Sequence, residues 1–140
     1  MRVEFTVPGN CVAKARPRFS NKTGRVFTPN NTHKYEKLVK ECYGDNYYFD
    51  NEFIKIKIVV YFTVPKSYNK QKTKNALDGK IFPTKADLDN YVKTICDGLN
   101  GVAFRDDRYI FKIEAEKRYT EYEARTEITI ESGYIYGKKL

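Results

Sequence analysis

Residues 54–62 set the tightest limit on what this chain can become. Ile54, Ile56, Ile58, Val60 and Phe62 occupy every second position, and Lys55 and Lys57 stand between them. A period of two places the five apolar side chains on one face of an extended strand and the lysines on the other. Such a strand, read from about Glu52 to Val64, requires neighbours in a sheet and a layer that covers its apolar face. Other periodic segments provide both. Val3, Phe5 and Val7 alternate before Pro8-Gly9 ends that run. Tyr35, Leu38, Val39, Cys42 and Tyr43 form a helical stripe, with Thr32 available as its cap and Gly44-Asp45-Asn46 as its stop. Leu88, Tyr91, Val92, Ile95, Cys96 and Leu99 form a second and stronger stripe over about Asp87 to Leu99, with Gly98 and Gly101 supplying the stop. Two closing strands follow, one with Tyr109, Phe111, Ile113 and Ala115 on one face, the other with Tyr122, Ala124, Thr126, Ile128 and Ile130. The expected order is β-α-β-α-β-β: an α+β fold with one mixed sheet packed with two helices. A length of 140 residues suits a single domain over residues 1–140.

Three stretches lack a period. Residues 10–31 read as a basic arm or irregular loop, residues 65–85 as a lysine-rich loop, and residues 133–140 as a loosely held tail. Charge follows the same division. Residues 1–70 hold 13 basic and 6 acidic side chains, residues 71–140 hold 13 and 12, and residues 11–40 hold eight basic residues against Glu36. A concentrated excess within a net charge of +8 favours a polyanionic partner, most often nucleic acid, over a merely solvated surface. No run reaches the roughly 18 apolar residues of a membrane span, and the first residues lack the apolar core of a secretory signal. Cys11, Cys42 and Cys96 are odd in number and widely spaced. They fit reduced thiols in a cytoplasmic protein better than a disulfide framework or a zinc knuckle.

Between Ala86 and Asp107 the charge reverses. Asp87, Asp89, Asp97, Asp106 and Asp107 face only Lys93 and Arg105. In a phosphate-binding protein these carboxylates would repel the partner, unless they hold a divalent cation that converts the patch into an anion site. Oxygen donors of this kind suit Mg²⁺, with Mn²⁺ as a substitute. Asp87 and Asp89 flank a helix start, where the dipole favours negative charge. Asp89, Lys93 and Asp97 share one polar helix face. The same residues also read as an ordinary cap, a helix ion pair and a turn, and the spacing alone leaves both readings open.

At these positions the chain resembles a known family. Asp87-Leu88-Asp89-Asn90, then Lys93, then Asp97-Gly98-Leu99-Asn100, then Asp106-Asp107 is similar to the D-x-D-N-x-x-K, D-x-L and D-D signature of the RusA Holliday-junction resolvases. Lys14-Ala15-Arg16-Pro17-Arg18 resembles that family's K-x-R-P-R stretch, and Phe27-Thr28-Pro29 has its counterpart before the first helix. The resemblance spans residues 3 to about 131. It implies a homodimeric, Mg²⁺-dependent endonuclease acting on four-way junctions or other branched DNA, encoded by a bacterium or a phage. It further implies Asp87, Asp89 and Asp107 as metal ligands, Lys93 as the essential basic residue, and Asp106 in support.

Lys14, Arg16 and Arg18, with Lys70, Lys72 and Lys74 of the lysine-rich loop, are the expected DNA-backbone contacts. His33 is the single histidine and reads as a solvated helix residue. Most of the 12 tyrosines and nine phenylalanines fall at inward positions and read as core, whereas Tyr47-Tyr48-Phe49 could be exposed and serve a dimer contact. The rival readings are a non-catalytic nucleic-acid-binding module and a scaffolding protein.

Overall fold

The computed structural model describes residues 1–14, 18–19, 26–27, 30–135 and 138–139, with side chains for residues 1–14 and 30–133. In chain order the elements are β1 (Arg2–Pro8), β2 (Arg18–Phe19), β3 (Val26–Phe27), α1 (Asn30–Tyr43), β4 (Ile54–Thr63), α2 (Lys70–Leu77) and α3 (Leu88–Leu99). A 3₁₀ turn (Asp107–Tyr109) leads into β5 (Ile110–Thr120), and β6 (Arg125–Ser132), β7 (Tyr134–Ile135) and β8 (Lys138–Lys139) complete the order. Four strands make one mixed sheet in the order β1-β6-β4-β5, with β1–β6 and β6–β4 antiparallel and β4–β5 parallel. The expected α+β class with a mixed sheet is what the chain adopts.

β4 lies inside the sheet, and its alternation decides which face is dry. Ile54, Ile56, Ile58 and Val60 are buried, opposite Ile128 and Ile130 of β6, and they join one core with Tyr35, Val39 and Tyr43 of α1 and Tyr91, Ile95 and Leu99 of α3. Phe5, half-buried on β1, meets Tyr43 edge to face at 5.2 Å. The two helices cross closely because Gly98 has no side chain. A Cβ there would stand 2.8 Å from Val39 Cβ and 3.2 Å from the Glu36 carbonyl.

Four local expectations are corrected. The lysine-rich stretch contains a third helix, α2, capped by Asn69, whose side chain accepts the Lys72 N–H at 2.8 Å. With Ala76 as its single buried residue, α2 shows no stripe to read. α1 begins at Asn30, so Thr32 is no cap but a buried residue of the first turn. On β5 the register with β4 shifts after Ile110, which pairs with Ile54, so that Lys112 pairs with Lys55 and Ile113 with Ile56. This β-bulge at Phe111 breaks the simple alternation of 109–115, and Phe111 and Ile113 are exposed on the sheet edge. β6 starts at Arg125, which leaves Tyr122 outside it and 69% exposed. β2 pairs with β3 inside the basic arm, and the expected tail carries the β7–β8 pair.

Gly98→Ala separates helix propensity from packing. Propensity alone favours Ala by about 1 kcal/mol. The Val39 contact instead predicts destabilisation of about 1–3 kcal/mol in urea unfolding, and a stabilised variant would contradict the close crossing.

Candidate active site

The acidic residues are presented by α3 and by the turn that follows it. Asp87 is the N-cap of α3, in extended conformation, but its side chain makes no capping hydrogen bond. Lys117 fixes the entry to the helix by donating to the Ala86 carbonyl at 2.8 Å. Asp89 lies in the first turn, where its charge complements the exposed N–H groups, and it forms no ion pair among the described residues. One turn further on, Lys93 Nζ stands 3.1 Å from Asp97 Oδ1 and 3.5 Å from Asp107 Oδ2.

Asp107 reaches Lys93 because the chain turns back sharply after α3. Gly101 has φ +86°, a left-handed conformation that suits glycine, and its N–H donates to the Phe104 carbonyl at 2.7 Å. Ala103 and Phe104 are fully buried, and Phe49 donates its N–H to the Ala103 carbonyl at 2.8 Å, so the turn is anchored in the core. Asp106 then caps the 3₁₀ turn by accepting the Arg108 N–H at 3.0 Å. That N–H holds the Asp106 carboxyl below the usual carboxylate range.

Asp97 has a second cation. Its Oδ2 lies 3.0 Å from Lys14 Nζ, which also meets Glu36 Oε1 at 3.1 Å. Burial pulls the Lys14 ammonium down, but its hydrogen bonds to Asp97 and Glu36 and their charges outweigh that, and its pKa stands above the ordinary lysine value. Lys93 is raised as well, chiefly by its hydrogen bond to Asp97. Lys40 donates to the Gly98 and Asn100 carbonyls at 2.8 and 3.1 Å, capping the negative end of the same helix.

The structure therefore brings Lys93, Asp107 and Asp97 together, with Asp106 next to Asp107. Asp87 and Asp89 stand nearer the start of α3, and among the described residues no three Asp, Glu, His or Cys side chains already converge as a metal cage. Like charges repel, and Lys93 draws Asp107 toward Asp97. The donor set nevertheless fits a hard divalent cation: all are carboxylate oxygens, one belongs to an uncapped N-cap, and one has no ionic partner among the described residues. Lys70, Lys72 and Lys74 lie exposed on α2, with Lys72 Nζ 4.1 Å from the centre of the Tyr68 ring. Lys14 is occupied by Glu36 and Asp97. Arg16 lies outside the described residues, as does the side chain of Arg18.

His33 is exposed, and burial pushes the Cys11 and Cys96 thiols up to about 11 and about 12, so neither is poised as a nucleophile. Tyr47 and Tyr48 are exposed, whereas Phe49 is buried. The double engagement of Asp97 was not assigned from sequence; its i, i+4 spacing from Lys93 was the available signal.

A family model described as Endodeoxyribonuclease RusA matches residues 8–131. The Bacillus subtilis (strain 168) protein YqaN, whose name calls it uncharacterized, is 33% identical over 136 residues, covering 91% of this chain and 94% of its own length.

Replacing Lys14 with Met leaves Glu36 and Asp97, both mostly buried, without that cation. Thermal or urea unfolding should show a loss of about 1–2 kcal/mol at low ionic strength. The loss should shrink in about 1 M NaCl as screening weakens the native pairs. Equal stability of the two proteins at low salt would show that the pairs do not hold the arm to α3.

Proposed function

The chain belongs to the RusA family of endodeoxyribonucleases, and from that premise we propose that it is a Mg²⁺-dependent nuclease that resolves four-way DNA junctions as a homodimer. One observation carries this reading: Lys93 touches Asp107 one helical turn from Asp89, which has no ionic partner among the described residues, and close in sequence to the uncapped Asp87. Asp87, Asp89 and Asp107 would hold the cation. When bound, the cation would lower the pKa of a coordinated water and polarise the scissile phosphate. Asp87 and Asp89 would give up no partner among the described residues in turning to the cation. Lys93 would stabilise charge on the phosphate oxygens or position the attacking water. Asp106 supports Asp107 by fixing the 3₁₀ turn from which both project.

DNA would be held mainly by its backbone. Lys70, Lys72 and Lys74 on the exposed face of α2, with Arg16 and Arg18, offer positive charge without fixed hydrogen-bonding geometry for base edges. Lys14 would contribute to this surface from its place beside Asp97. Mn²⁺ would substitute for Mg²⁺, since both accept oxygen donors. Recombination and repair in a bacterial cytoplasm, including that of a phage-infected cell, are the setting in which such junctions arise.

A labelled four-way junction should be nicked with Mg²⁺ and left intact with chelator, and linear duplex should be a poor substrate. Asp89→Asn should retain its circular dichroism spectrum and junction binding but lose nicking. Full cleavage by Asp89→Asn would reject the ligand assignment, while metal-independent binding with no product from any branched DNA would leave a binding module. Replacing Arg16 and Arg18 by Gln should lower the slope of log affinity against log salt by about two, and an unchanged slope would remove them from the interface.

A further inference from the structure

Asn90, Lys93, Thr94 and Asp97 follow the spacing i, i+3, i+4, i+7 and line one side of α3. The chain at Lys14 runs along this stripe. Its N–H donates to the Asn90 carbonyl at 2.8 Å, and its ammonium meets Asp97 Oδ2 two turns later at 3.0 Å. Asp97 Oδ1 faces the other way, to Lys93 at 3.1 Å. The resulting chain of charges, Glu36–Lys14–Asp97–Lys93–Asp107, alternates in sign at every step and links α1, the arm, α3 and the 3₁₀ turn. Its centre is better shielded than its end: the side chain of Asp97 is 19% exposed and that of Asp107 34%.

From this geometry we propose that Asp97 is a positioning residue, which holds the Lys93 ammonium so that Asp107 can leave it for the metal ion. The inference rests on the reading of Asp87, Asp89 and Asp107 as ligands. Of those three, Asp107 is the one paired with a lysine, and ligation requires it to give that lysine up. A lysine released beside a divalent cation would repel it unless another anion kept the ammonium neutralised. Asp97 meets that need: it is closer to Lys93 than Asp107 is, and its lower exposure leaves the pair less screened. Lys14 and Glu36 tether its second oxygen, so Asp97 stays with Lys93 and does not swing away as a ligand. Lys40 fixes the last turn of α3, from which Asp97 projects.

The pairing predicts a non-additive pattern in metal affinity. Without the Asp97 charge, Asp107 is the remaining anionic partner of Lys93 among the described residues, and the lysine competes directly with the cation. The test is titration of the full chain with Mn²⁺, without DNA, reading free Mn²⁺ by electron paramagnetic resonance. Asp97→Asn should bind Mn²⁺ about fivefold more weakly than wild type, or worse. Lys93→Gln should bind more tightly than wild type, and the double variant should match Lys93→Gln, because the penalty acts through the lysine. Wild-type affinity in Asp97→Asn overturns the proposal. So does an equal penalty in both backgrounds, which would mean a simple loss of negative charge nearby. If Asp97→Asn does not fold by circular dichroism, Lys93→Gln still decides: affinity unchanged or weaker than wild type overturns the proposal. Wild-type protein that binds Mn²⁺ no better than Asp89→Asn would instead overturn the ligand reading itself, and the positioning role with it.

Discussion

Repulsion among the carboxylates is the constraint around which this site is built. Asp87, Asp89, Asp97, Asp106 and Asp107 fall within 21 residues of a chain whose net charge is +8, and each needs a separate means of carrying its charge. Asp87 and Asp89 sit at the positive end of α3. Asp106 takes the Arg108 N–H. Asp97 is held between Lys14 and Lys93, and Asp107 shares Lys93 with it. The acids that, among the described residues, have only the helix dipole, and the acid at the end of the lysine chain, are the three whose charge an added cation would satisfy best.

That arrangement depends on how tightly α3 is seated. Tyr91, Ile95 and Leu99 bury one face in the core they share with the β4 isoleucines, and Gly98 lets α1 approach closely enough for Lys40 to reach the carbonyls at the end of α3. Phe104, fully buried, brings the following turn back beside the helix. The apolar stripe and the acidic stripe therefore belong to one element. Packing of the first fixes the position of the second.

The segments legible from sequence were those in which one periodicity dominates. The alternation of β4 and the stripe of α3 marked both elements to within two residues, because burial on one face leaves a regular trace. The α2 helix escaped because it buries only Ala76, and its start depends on a single Asn69 cap. The bulge at Phe111 escaped because one inserted residue reverses the faces of a strand without altering its composition. In the site, spacing placed Asp89, Lys93 and Asp97 on one helix face and offered Asp89–Lys93 as the ion pair, whereas Lys93 pairs with Asp97; it also indicated that Asp106-Asp107 could return beside the helix. The bond from Lys14 to Asp97 joins residues 83 positions apart, which no local pattern encodes. It gives a lysine of the basic arm a structural partner that its place in a stretch expected to contact DNA did not suggest.

On the proposed reading, one divalent ion is shared by the start of α3 and the turn after it. A crystal structure of the protein grown with Mn²⁺, with anomalous scattering collected at the manganese edge, tests this most directly. A peak is expected within bonding distance of Asp87, Asp89 and Asp107 carboxylate oxygens, with Lys93 resting on Asp97 alone. A peak bound elsewhere, or well-ordered Asp87 and Asp89 side chains turned away from Asp107 with no ion between them at saturating Mn²⁺, would contradict it.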